Sequence, residues 1–153
     1  MKKQIEASIS LLSPKGKTTA PVRIYYDDND VADTSVEINL TYNNTLYQGN
    51  GIDYLWGDAF ADLQKKLPDD IKIACCMTCH HGNMCPYGNR ENELFCTKDL
   101  IITTKDDILK LFDETDPFVE RVVASLDYCN DFVYQNDDCY TYNDYLYHLR
   151  KKQ

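Results

Sequence analysis

Polar and apolar positions alternate along the first part of the chain, which is the period of a half-buried β-strand. Near the start, the apolar positions of this pattern are Ile5, Ala7, Ile9 and Leu11. After a turn at residues 13–16, further strands are predicted at residues 22–26 and 36–42, with an acidic turn at 27–30 between them. Three strands in succession predict an antiparallel β meander.

The hydrophobic period changes in the next segment, at residues 54–67. Its large apolar side chains are spaced by four, three and four residues, at Trp56, Phe60, Leu63 and Leu67. This spacing forms one stripe on an α-helix, and Pro68 ends the helix because proline cannot continue it. The segment therefore predicts a helix that covers the sheet.

The C-terminal third combines helical signals with an ambiguous stretch. Thr104 is a candidate N-cap for a helix that carries Ile108 and Leu111. Residues 118–126 fit a strand or a helix, and we favour a strand. A last helix is expected from about Asn143, with the cations of residues 150–152 at its negative end.

These elements predict one α+β domain over residues 1–153, with an N-terminal meander packed by two or three helices. Residues 1–52 form the meander, 53–100 a helix and a central zinc knuckle, and 101–153 the helical and strand C-terminal part. The length of 153 residues and the 43% of hydrophobic residues suit one folded core. Asn43-Asn44-Thr45 has the form of a glycosylation triplet, which means little without secretion.

Charge narrows the possible partners and location. Asp and Glu total 25 against 16 Lys and Arg, so the formal charge of −9 repels nucleic acid and anionic bilayers. A basic protein surface is the partner that such a field would attract. No signal peptide or membrane-spanning run is apparent, so we expect a cytoplasmic protein.

Seven cysteines supply the candidate chemistry. Five of them fall within 22 residues, and two follow later: Cys75, Cys76, Cys79, Cys85, Cys96, Cys129 and Cys139. Because a reducing cytosol disfavours disulfides, this density indicates metal binding or redox chemistry. Cys76 and Cys79 have the Cys-x2-Cys spacing of a zinc knuckle, and Cys96 can add a third sulfur. From the residues alone, the fourth ligand stays open among Cys85, Cys129, His80 and His81.

Other chemistries compete with zinc for these cysteines. An iron–sulfur cluster also takes thiolates, although the bacterial ferredoxin spacing is absent. The string from Cys76 to His80 matches the haem-attachment pattern Cys-x-x-Cys-His, which the absence of an export signal disfavours. A redox dithiol would require a cysteine near a helix N-terminus, where the pKa of its thiol is lowered. The last alternative is that the cysteines are plain buried thiols without a ligand.

The stretch of residues 56–132 resembles an uncharacterised bacterial family, a domain of unknown function. The shared features are a Trp-containing helix that ends in Leu-Pro, Cys-x2-Cys, Pro-Tyr-Gly-Asn, a lone Cys, Asp-Asp and Cys-x-x-Phe. Here these are Trp56, Leu67-Pro68, Cys76 and Cys79, Pro86 to Asn89, Cys96, Asp106-Asp107, and Cys129 with Phe132. The resemblance implies Cys76, Cys79, Cys96 and Cys129 as ligands. The local pattern instead favours Cys85 as the alternative fourth ligand, because a short loop costs less entropy to close.

Four thiolates around zinc would leave no open position, so the ion would be structural. The sequence shows no other catalytic constellation, which favours a non-enzymatic role. Our leading hypothesis is a protein-interaction module, such as an immunity or inhibitor protein that masks a basic partner. Six tyrosines between residues 127 and 147, interleaved with acids, are candidate contacts. The alternative is a redox or metal-responsive protein that uses the Cys76 and Cys79 thiolates.

Overall fold

The computed structural model describes residues 2–27, 35–52, 55–88 and 92–151. The predicted positions at residues 28–30, Tyr54, Asn89 and Lys152 lie outside these ranges. The strands are β1 (Lys2–Ser13), β2 (Gly16–Asp27), β3 (Val36–Tyr42), β4 (Thr45–Gly51), β5 (Lys72–Ala74), β6 (Gly82–Asn83), β7 (Glu93–Cys96) and β8 (Val122–Ala124). The helices are α1 (Gly57–Lys66), α2 (Lys105–Glu114), α3 (Pro117–Glu120) and α4 (Tyr145–Arg150), with a short 3-10 turn at Cys76–Thr78.

The chain divides into two compact units. Met1–Ala74 and Asp144–Gln153 form the first unit, and Cys75–Asn143 forms the second. The α+β class is confirmed, whereas the prediction of one domain stays a prediction. Among the described residues, no helix has the length and apolar character that crossing a bilayer requires.

The first unit is built on a five-stranded antiparallel sheet of order β4-β3-β2-β1-β5. Alternate residues of its long strands are buried and form one apolar face, as the period of two predicts: Ile9, Leu11, Val22, Ile24, Val36, Ile38 and Leu40. The Trp56, Phe60 and Leu63 side chains are fully buried. The predicted helical stripe therefore lies in the core, although α1 begins at Gly57 and ends before Leu67.

The three-strand meander was an underestimate, because β4 and β5 extend the sheet to five strands. β3 and β4 form a hairpin in which Asn43 and Asn44 have φ angles of 50° and 62°. Asparagine tolerates this left-handed conformation, which a two-residue turn between twisted strands requires. The asparagines of the glycosylation-type triplet are thus the turn itself.

Helix α1 covers the outer edge of β4 with three side chains spaced by four residues. Asp58 accepts a hydrogen bond from the Ile52 N–H at 2.8 Å, and Asp62 accepts one from the Asn50 N–H at 2.8 Å. Lys66 donates to the Gln48 carbonyl at 2.8 Å. Four residues of helix advance about 6 Å, close to two residues of strand, so one helix face matches alternate backbone groups of the edge. These three side chains form hydrogen bonds with backbone groups on the edge of β4. An additional strand would otherwise pair with those groups.

Asp62→Ala is expected to lower the free energy of unfolding of the first unit by about 1 kcal/mol, because the Asn50 N–H loses its acceptor. The ion pair of Asp62 with Lys66, 3.0 Å apart, is lost as well. Urea unfolding followed by the fluorescence of Trp56, the single tryptophan, measures the effect. The matched control is Asp69→Ala, which removes an exposed carboxylate of the same charge. Equal loss in both variants would mean that charge, and not the edge bond, is responsible.

The second unit holds a three-stranded antiparallel sheet of order β6-β7-β8. Its strands have only two to four residues, and the sequence pattern does not predict β6 or β7. The segment at residues 118–126, predicted as a strand, divides into the end of α3 and the strand β8. Thr104 precedes α2 as predicted, and the Asp107 carboxylate accepts the Thr104 N–H at 3.1 Å. This bond satisfies an N–H group at the start of the helix.

Candidate metal centre

The Cys76 and Cys79 pair lies on a tight backbone turn. The Cys79 N–H donates to the Cys76 carbonyl at 3.2 Å, and the Gly82 N–H donates to the Cys79 carbonyl at 3.0 Å. The Cys79 sulfur accepts the backbone N–H of His81 at 3.4 Å. Backbone donors of this kind stabilise negative charge on sulfur, because a charged acceptor strengthens the hydrogen bond.

Strand pairing brings Cys96 next to this turn. β6 begins at Gly82, three residues after Cys79, and Gly82 pairs with Cys96 across the β6–β7 ladder. A Cβ atom on Gly82 would lie 1.9 Å from the Cys76 carbonyl oxygen, so only glycine permits this approach. Cys96, the third predicted ligand, therefore reaches the turn through a close backbone contact that requires glycine at position 82.

Cys129 lies in a loop that is bonded to the turn on both sides. Before it, the Cys76 N–H donates to the Asp127 carbonyl at 2.8 Å. After it, the His80 N–H donates to the Val133 carbonyl at 2.6 Å, and Tyr134 forms an isolated bridge with Cys79. These bonds hold the loop of residues 127–134 against the turn, although fifty residues separate Cys129 from Cys79 in the chain.

A cavity of about 750 Å³ is lined by three of the four predicted cysteine ligands. Cys76, Cys96 and Cys129 line it together with Asp127 and Tyr128. The fourth cysteine, Cys79, interacts electrostatically with each of these three. Across the described ranges, no three His, Cys, Asp or Glu side chains form a group that could hold a metal ion as they stand.

The thiols of the turn are strongly affected by burial. Burial raises the pKa of the fully buried Cys75 to about 12, although the Met77 and Thr78 amides bond its sulfur. The pKa of Cys76 is also raised, first by burial and then by the neighbouring thiols of Cys75 and Cys79. Burial raises the pKa of Cys79, against the lowering effect of its backbone donors. These thiols stay protonated at neutral pH unless a cation compensates the charge of the thiolates.

Two cationic side chains line the same cavity, and neither was predicted from the sequence. Arg121 donates two hydrogen bonds to Asp99, at 2.6 and 3.1 Å, and one to the Cys96 carbonyl at 3.1 Å. Lys98 lies 3.2 Å from Asp131, and its pKa is raised by that hydrogen bond and by the nearby Cys129 and Cys96. Positive charge beside the sulfurs favours their thiolate forms.

The remaining cysteines occupy different surroundings. Cys85, the alternative fourth ligand, is buried in its own turn, where its sulfur accepts the Tyr87 N–H at 3.4 Å. It is not among the described residues that line the cavity. Cys139 is exposed.

The two histidines considered as ligands face other groups. The His80 ring nitrogen Nδ1 lies 3.0 Å from the Thr141 hydroxyl, and that hydroxyl donates to the His80 carbonyl at 2.7 Å. Burial lowers the pKa of His80 and of His81. His81 lines a neighbouring cavity of about 560 Å³ with Lys98 and Asp131.

Most of the C-terminal tyrosines are not free to dock a partner. Tyr145 is buried and Tyr147 is exposed, while four are half-buried: Tyr128, Tyr134, Tyr140 and Tyr142. Burial raises the pKa of Tyr134 to about 12. This distribution indicates that most of these tyrosines cover the protein interior instead of forming a docking surface.

The features that suggested a family lie in different parts of the fold. Trp56 belongs to the first unit, whereas the cysteines and the Asp106-Asp107 pair belong to the second. The resemblance to an uncharacterised bacterial family stays a prediction. Neither a known family model, nor a curated protein, nor a solved structure matches this chain.

Proposed function

We propose that the second unit binds one zinc ion through Cys76, Cys79, Cys96 and Cys129. The observation that carries this proposal is the shared cavity of Cys76, Cys96 and Cys129. Cys79 joins the set because it lies on the same tight turn as Cys76, and because the pKa values of the cysteines reflect its proximity to the other three thiols. Cys85 remains the alternative fourth ligand, and an iron–sulfur cluster remains the alternative group.

The donor set suits zinc. Four thiolates are a common ligand set of structural zinc sites. The backbone N–H of His81, which bonds the Cys79 sulfur, stabilises the thiolate form of Cys79. When bound, zinc would supply binding energy that fastens three separated segments together. With four protein ligands it keeps no position for water, so the proposed role is structural and not catalytic.

The biological role that we infer is that of a cytoplasmic interaction module, such as an immunity or inhibitor protein, with a basic partner. The support is the formal charge of −9, which steers cationic surfaces toward the protein. The redox alternative is less well supported, because the raised pKa values of Cys76 and Cys79 leave little thiolate for exchange. Cys76 opens only a three-residue 3-10 turn, which offers a weak dipole.

Elemental analysis of the purified protein is expected to find one zinc per chain. Cys129→Ser should lose that zinc, because a serine hydroxyl is a poor ligand for zinc beside three thiolates. Cys85→Ser is the matched control, since it removes one thiol from the same unit and should keep the metal. Both variants are measured for zinc content and for thermal stability in parallel.

Two results would contradict the assignment of the ligands. Loss of zinc in Cys85→Ser with retention in Cys129→Ser would make Cys85 the fourth ligand. Iron and labile sulfide in the wild-type protein would replace zinc by a cluster, and wild-type protein without metal after purification with added zinc would end the proposal.

A further inference from the structure

Large apolar side chains are exposed on one stretch of the second unit. Phe118 and Val119 on α3 are 52% and 76% exposed, and Val122 at the start of β8 is 46% exposed. We name these three residues the apolar face. A neighbouring loop adds Leu100 and Ile101, also exposed. Clustered exposed apolar groups on a soluble protein mark interaction sites, whereas scattered ones carry no meaning.

The apolar face rests on a firm support. The Phe118 ring contacts the rings of Phe95 and Phe112 edge to face, with centroids 5.1 and 5.7 Å away. Phe95 is fully buried, so Phe118 is anchored in the core on one side and exposed on the other. Arg121, which directly precedes Val122, donates two hydrogen bonds to Asp99, which directly precedes Leu100. These bonds hold the two exposed segments together. A surface held in this way loses little entropy when a partner binds.

The exposed charges on the segment that carries Phe118 and Val119 are negative. Four exposed carboxylates occur between Phe112 and Arg121, where the sequence has no cation: Asp113, Glu114, Asp116 and Glu120. The next cation along the chain, Arg121, is bonded to Asp99. A partner with exposed acids would be repelled here, while lysine or arginine side chains would be attracted.

We propose that the apolar face docks a cationic segment of a partner protein, with an apolar side chain of that segment seated on Phe118 and Val119. The occupant follows from charge complementarity, because acids border an apolar centre on this surface. The proposal rests on the interaction role proposed above, and it moves the contact surface from the tyrosines to α3 and β8. It does not depend on the identity of the metal.

The test uses two labelled synthetic peptides, one of alternating lysine and leucine and one of alternating glutamate and leucine. Fluorescence anisotropy is expected to show binding of the lysine peptide to the wild-type zinc-loaded protein and none of the glutamate peptide. Val119→Ser keeps the charge and should weaken binding about fivefold, because one exposed apolar side chain no longer contributes buried area. Glu120→Gln should weaken it as well, with a reduced dependence on salt.

Leu46→Ser in the first unit is the matched control, because Leu46 is 63% exposed and the substitution is equally neutral in charge. It should bind the lysine peptide as the wild type does. Equal affinity of Val119→Ser, Leu46→Ser and wild type would show that net charge alone attracts the peptide, and would overturn the proposal. No binding to the wild type would overturn it too. Zinc content is measured on each sample. A sample that holds zinc but does not bind the peptide shows failure of the docking surface, and not of the metal site.

Discussion

Removal of zinc by a chelator is expected to abolish hydrogen-exchange protection in Cys75–Asn143 while β1, β2 and β3 of the first unit stay protected. All seven cysteines belong to the second unit, so the binding energy of the ion acts there. That unit has a sheet of short strands, and residues 125–135 are held to the cysteine turn by a small set of backbone hydrogen bonds, which includes those at Asp127 and Val133. The first unit buries its own apolar face without any of the cysteines.

The expected effect is large because of the energies involved. A structural zinc site contributes about 10–16 kcal/mol of apparent binding energy at neutral pH, against a net stability of about 5–15 kcal/mol for a typical domain. Without zinc, the thiols of Cys75, Cys76 and Cys79 remain with raised pKa values and no metal ion to bind. Exchange should then approach the rates of an unfolded chain in peptides that span Cys76, Cys96 and Cys129.

Mass spectrometry of exchanged peptides measures this change, and Trp56 fluorescence provides the internal control in the first unit. Zinc added back should restore protection, whereas magnesium should not, because it prefers oxygen ligands. Protection that is unchanged in Cys75–Asn143 after complete removal of zinc would show that the ion is not structural. Loss of protection in β1, β2 and β3 to the same extent would show that the two units unfold together.

The sequence predicted the elements whose hydrophobic period is long enough to recognise. β1, β2 and β3 alternate over seven or more residues, and most of their buried positions are those that the pattern indicates. The exceptions are in β1, where Ile5 and Ala7 are half-buried and Ser10 is buried. β4 escaped prediction because Gly49 is its only buried residue, so it shows no alternation of apolar side chains. Its backbone bonds come from β3 and from α1, which sequence periodicity does not show.

The candidate metal site likewise has a local part that the sequence predicts and a non-local part that it does not. The Cys76 and Cys79 turn is local, and its spacing alone was sufficient to predict a turn there. The cationic lining is not local, because Asp99 and Arg121 are 22 residues apart and meet only after β7 and β8 pair. β6 has two residues, below the length at which a period of two can be detected. Contacts that depend on tertiary pairing left no signal in the spacing of residues.

Gly49→Ala is expected to destabilise the first unit by about 2–3 kcal/mol. A Cβ atom at this position would lie 2.5 Å from the Ala59 carbonyl oxygen and 2.6 Å from the Leu63 Cβ. The nearest of these atoms belongs to the α1 backbone, so the whole helix must move away from β4. Overpacking of this kind costs about 1–3 kcal/mol, and more where backbone has to shift.

The better strand propensity of alanine offsets only about 0.5–1 kcal/mol of that cost. Urea unfolding followed by Trp56 fluorescence should therefore show a midpoint lowered by about 1 M or more, given typical slopes of about 1–3 kcal/mol per M. Asn50→Ala is the control: it changes the next residue of β4, whose side chain is exposed, and leaves the N–H bond to Asp62 in place. A midpoint for Gly49→Ala within the error of the Asn50→Ala value would mean that α1 does not press on β4 as closely as these distances require. Zinc content should stay at one per chain in both variants, because this strand belongs to the unit without cysteines.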